Sequence, residues 1–168
     1  LQAAQMTSRL RRSFEPGHKP KFLVIIDESE ECGRAVRFAS RRVVRTGARL
    51  LMLAVTDKAD FQHWLGVGDL MQEEANERAN DLLQRHVATC RNLGVADVET
   101  SVRTGKKAEQ ILRLIEEDLD VSFLVLGAGS GADGPGPLVS MLASRAAFPI
   151  PVVVVPGQLS DAEIDALA

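Results

Sequence analysis

Two short stretches carry the residue types from which an anion or nucleotide site is built. Asp27-Glu28-Ser29 follows the apolar run 22–26, and Gly127, Gly129, Ser130 and Gly131 follow the apolar run 121–126. Glycines let backbone amides approach a phosphate, and the N-terminus of a following helix adds positive potential. An aspartate at a strand end can accept hydrogen bonds from a ribose or an adenine edge. Each stretch also has a plainer reading. Asp27 can simply cap the next helix. The glycines can be a strand-loop-helix connection, and Asp133, Pro135 and Pro137 suit a surface loop.

Other chemistries find less support. There is no Ser-His-Asp set, no catalytic pair of carboxylates and no metal-ligand spacing, so the residues make no case for an enzyme. The Gly-Lys pair at 105–106 lacks the upstream glycine and the following Ser or Thr of a P-loop. Cys32 and Cys90 fall inside helical patterns without a CxxC, and read as small core residues. His63 and Trp64 are read as packing on the sheet, and His86 as a half-buried core residue.

The elements that position these stretches follow from periodicity. Near-continuous apolar runs at 22–26, 49–55, 121–126 and 152–155 predict strands buried on both faces of a parallel sheet. Val98, Thr100 and Val102 alternate with polar residues, which predicts a strand nearer an edge. Helices are expected at 29–45, with Ser29 as N-cap and Gly47 as stop, and at 70–93, capped by Asp69 and stopped by Gly94. The stripe of the second helix is Met71, Ala75, Ala79, Leu82, Leu83, His86, Val87 and Cys90. Gly105 opens a third helix bearing Ala108, Ile111, Leu112 and Ile115, and residues 138–147 form a fourth. The order β-α-β-α-β-α-β-α-β gives an open parallel α/β sheet with helices on both faces. In such sheets ligands lie at the carboxyl ends of the strands, where both candidate stretches fall.

Residues 21–156 form the domain, preceded by an arm or leader over residues 1–20 with four Lys and Arg side chains. Residues 157–168 form a tail with a short helix started by Ser160 and Glu163 as a capping box. The chain has 168 residues, 45% hydrophobic and 26% charged, the balance of one globular domain with a sizeable core. A net charge of -3 does not suggest nucleic-acid binding. No apolar run approaches the roughly 20 residues of a membrane span. With no apolar signal core at the start, a cytoplasmic location is expected.

The stretch FLVIIDESEECGRAVRFA, then VRTGKKAEQILRLIEE, then LVLGAGSG and IPVVVVP together resemble the universal stress protein family. The resemblance covers about residues 20–156. It implies a five-stranded sheet of order 3-2-1-4-5, the fold of adenine nucleotide alpha hydrolases, a homodimer, and in part of the family adenine nucleotide binding. By that resemblance Asp27 matches the acidic nucleotide contact, Val55 lies near the adenine-lining position, and Leu126 and Gly127 match the end of the fourth strand. Ser130 stands where the second glycine of the family pattern falls, flanked by Gly129 and Gly131. Leu138 and Val139 stand where a Gly-Ser pair starts the fourth helix, and Ser140 can substitute only after a one-residue slip. Glu28 replaces a glycine and adds negative charge.

Three roles follow. The first in rank is a dimeric interaction module with weak or absent ATP binding and an unidentified regulatory protein partner. The next is an ATP or AMP sensor using the crevice between Asp27 and Gly127, and the last a hydrolase or flavin-type electron carrier. The dimer is expected through the last strand, 152–155, a short, uncharged, β-branched edge.

Overall fold

The computed structural model describes residues 10–57, 67–129, 136–144 and 148–168. Five strands form one parallel sheet: β1 (Lys21–Ile26), β2 (Arg49–Thr56), β3 (Val98–Thr104), β4 (Val121–Gly127) and β5 (Val152–Val155). Their order is β3-β2-β1-β4-β5, with every neighbouring pair parallel. Helices α1 (Glu30–Thr46), α2 (Val67–Asn92), α3 (Lys107–Glu117) and α4 (Pro137–Ala143) connect the strands, and α5 (Asp161–Leu167) follows β5.

The continuous apolar runs are continuous because successive side chains supply two different cores. Phe22, Val24 and Ile26 of β1, with Leu50, Met52 and Ala54 of β2, pack against α1, α2 and Ile164 of α5. Leu23, Ile25, Leu51 and Leu53 pack on the opposite face with Ile111 and Ile115 of α3 and Leu142 of α4. Every residue of β1 is buried, whereas β3, at one edge, is half-exposed along its length, as its alternating sequence predicts.

Lys21 extends β1 one residue beyond its apolar run. Its ammonium donates to Asp118 Oδ2 at 2.7 Å and Glu99 Oε2 at 3.1 Å, which is how a lysine tolerates burial beneath the sheet. Helix α1 ends at Gly47, whose left-handed φ of 73° lets its N–H reach the Val43 carbonyl.

Some helix ends differ from expectation. Ser29 is the residue before α1, but its hydroxyl donates to Asp27 rather than capping the helix. The described part of α2 begins at Val67, so Asp69 lies inside the helix rather than at its cap. Met71, placed in the buried stripe, is exposed, because the apolar contacts of α2 with the sheet begin further along, at Ala79, Leu83, Val87 and Cys90. The described part of α4 ends at Ala143.

At the C-terminus the Ser160–Glu163 capping box forms, and Ile164 is fully buried. Arg37 of α1 grips Asp165 with two hydrogen bonds, at 2.8 and 2.7 Å. Before β1, Arg12 N–H donates to Leu119 O, the Arg11 guanidinium donates to Ile115 O at 2.7 Å, and His18 pairs with Asp120 at 2.9 Å. Residues 1–9 of the expected arm lie outside the described residues.

Candidate functional site

The carboxyl ends of β1 and β4 lie side by side, because β1 turns from β2 on one side to β4 on the other. This reversal of the strand order, with all strands still parallel, opens a crevice, the place where open α/β sheets hold ligands. A cleft of about 90 Å³ lies there, lined among others by Asp27, Glu31, Cys32, Lys107, Gly127 and Leu138. Bounded by the described residues alone, that volume takes a few waters or one phosphate-sized group.

Asp27 is fixed by the turn that leaves β1. Its Oδ1 accepts from Ser29 N–H at 2.9 Å and from the Ser29 hydroxyl, a local turn typical of aspartate. Its Oδ2 faces Lys107 Nζ at 3.8 Å, with both side chains about two-fifths exposed. Lys107 is the first residue of α3. It was not among the candidate residues, because the Gly-Lys stretch that contains it does not match a P-loop. The signal lay in the topology: α3 follows edge strand β3 and must cross back towards β4, which brings its start over the carboxyl end of the sheet.

Gly127 closes β4 beneath the first turn of α1. A β-carbon at this position would overlap Glu31 O and stand 2.7 Å from the Glu31 carbonyl carbon. Gly127 is therefore needed for helix-on-strand packing whether or not a ligand binds. Glu31, not Glu28, is the glutamate that lines the cleft; Glu28 points to solvent.

The remaining candidate residues divide clearly. Leu126 lines the cleft with Gly127. Val55 is partly buried against the core shared with α3 and does not line it. Gly129 follows β4, after Ala128 has donated its N–H to Val155 O. Ser130 and Gly131 lie outside the described residues, as do His63 and Trp64. Ser140 is exposed, and its N–H donates to Gly136 O inside α4. Helix α4 brings Leu138 and Val139 to the cleft, so it offers hydrocarbon there; its first residue, Pro137, has no N–H to donate.

Cys32 and His86 meet at the back of the site, Sγ to Nε2 at 3.8 Å. Burial pushes the Cys32 thiol up to about 11, and burial together with Arg85 lowers His86. At neutral pH the pair is a thiol beside an uncharged imidazole, without the thiolate a nucleophile needs. Among the described residues no cluster of His, Cys, Asp and Glu is arranged to hold a metal ion. Nor is any described helix long and apolar enough to cross a membrane.

Comparison with known proteins agrees with this architecture. The family model described as "Universal stress protein family" matches residues 20–156. Among solved structures, the universal stress protein UspA from Lactobacillus plantarum superposes with a TM-score of 0.69 at 20% identity, over 81% of this chain and 97% of that one. A universal stress protein in complex with cAMP gives 0.63 at 20% identity, over 83% and 98%. A family protein from Arabidopsis thaliana with AMP bound gives 0.55 at 21% identity, over 82% and 90%. No curated protein sequence matches this chain.

Proposed function

The chain belongs to the universal stress protein family, and from that premise we propose that it is a cytoplasmic stress-response regulator, a homodimeric interaction module whose cleft favours adenine nucleotides of low charge over ATP. The observation that carries this reading is the charge inventory of the cleft: among the described residues that line it, Asp27 and Glu31 are acidic and Lys107 is the one cation. A monophosphate brings about two negative charges at neutral pH. A cyclic phosphodiester brings one, and a triphosphate several. One lysine beside two carboxylates is suited to the first two and poorly suited to the third. Solved family relatives bound to AMP and cAMP point to the same ligand class.

The start of α4 supports the low-charge preference. Pro137, Leu138 and Val139 supply no side-chain donor where further phosphates would extend. The small volume of the cleft favours a loosely held ligand. ATP is accordingly expected to bind with a dissociation constant in the high micromolar range or weaker, about -5 kcal/mol or less favourable.

The interaction surface is the outer edge of β5. Four valines lie at the end of the sheet, with Val154 exposed and Pro151 and Pro156 bounding the strand. An uncovered edge of this kind pairs readily with another strand, and a two-fold axis would bring β5 against its own copy. The test is calorimetric titration with AMP, cAMP and ATP, together with sedimentation of the free protein. Binding of AMP or cAMP with weak ATP binding by a dimer is expected. Tight ATP binding would make the chain an ATP sensor instead.

A further inference from the structure

The two oxygens of Asp27 are held unequally. Oδ1 is tied to Ser29, two residues away, by a backbone and a side-chain donor. Among the described residues Oδ2 has only the Lys107 ammonium, 3.8 Å off, near the outer limit of an ion pair. Lys107 sits on a flexible four-carbon stem, and Asp27 is the one carboxylate within ion-pair distance of it among the described residues. Exposed pairs of this length contribute little to stability, so opening this one costs little. Both partners line the same cleft as Gly127 and Leu138.

We infer that Asp27 and Lys107 form an exchangeable latch, which a nucleotide opens by taking both partners at once. Asp27 Oδ2 accepts an N–H or O–H from the base or sugar, and Lys107 Nζ moves to the phosphate. This deepens the nucleotide reading given above and rests on it. The reason lies in what each partial ligand leaves behind. A nucleoside engages Asp27 but leaves Lys107 without an anion. Free phosphate engages Lys107 but leaves Asp27 facing a like charge. A nucleoside monophosphate satisfies both residues, so the latch selects against its two halves. Asp27 keeps its orientation throughout, because the Ser29 turn does not depend on Lys107.

Calorimetry with AMP, adenosine and inorganic phosphate tests this on the wild type and on Lys107→Gln, Lys107→Arg, Asp27→Asn and the Lys107→Gln/Asp27→Asn double variant. AMP should bind the wild type at least about tenfold more tightly than either adenosine or phosphate, the scale of one hydrogen bond to a charged group. Lys107→Gln should weaken AMP about tenfold and leave adenosine no weaker, since no ion pair then has to open, and Lys107→Arg should restore AMP. The double variant should lose less than the product of the two single losses, since each partner holds the other when the ligand is absent. If the wild type binds AMP and Lys107→Gln binds it equally well, the latch is wrong while the nucleotide reading stands. If the wild type binds none of the three probes, both are wrong.

Discussion

The carbonyl of Glu31, in the first turn of α1, occupies the space that a β-carbon on Gly127, at the end of β4, would need. A helix can approach a strand this closely only where the strand carries no side chain. The contact fixes the mouth of the cleft, since Glu31 and Gly127 both line it. Gly127→Ala should therefore cost about 1–3 kcal/mol through overpacking. Urea unfolding in the absence of any nucleotide measures it; an unchanged midpoint would mean that α1 can step back freely.

Acid should loosen α5 first. Asp165 is held down to about 2, from an ordinary 3.8, by its hydrogen bonds to Arg37 and then Arg41. A carboxyl whose folded value is depressed stabilises the fold above its unfolded value and loses that contribution as the pH falls through the folded one. Asp165→Asn should thus melt below the wild type at pH 5, and the gap should shrink between pH 4 and pH 2. A gap that persists at pH 2 would show that the charge of Asp165 is not what matters.

Val154→Lys tests the proposed edge-to-edge dimer. Val154 is exposed in the single chain, so a lysine there should leave the thermal stability of the monomer nearly unchanged while placing like charges across the two-fold axis. Sedimentation should show the wild type as a dimer and the variant shifted towards monomer. A wild type that sediments as a monomer at high micromolar concentration removes the dimer from the account.

What the sequence made legible was the part written in local pattern. The runs at 22–26, 49–55, 121–126 and 152–155 are strands of one parallel sheet; the first three are largely buried, whereas edge strand β5, expected to be covered on both faces, buries only Val155 because no described strand pairs beyond it. Asp27 and Gly127 could be placed at one crevice because each ends such a run. What stayed hidden depends on distant partners. Lys21 looks like a linker residue until Glu99 and Asp118 close around its ammonium. Lys107 enters the cleft only because α3 crosses back over the sheet. The Ser29 hydroxyl had two acceptable partners, the helix end and Asp27, and only the geometry of the turn selects Asp27.

Replacing Leu138-Val139 by Gly-Ser should strengthen ATP binding, since it removes two apolar side chains from the cleft lining and adds a hydroxyl. About a tenfold gain is expected if missing donors limit the site. Titration of the double variant with ATP checks it. No gain would place the limit in the two carboxylates, Asp27 and Glu31, instead.

One lysine among the acidic residues of the described lining, Asp27 and Glu31, sets the charge this cleft accepts. Isothermal titration of the unmodified protein with AMP and ATP under identical conditions tests it most directly. The account predicts measurable AMP binding, with ATP weaker and in the high micromolar range or beyond. ATP binding tighter than AMP would contradict it.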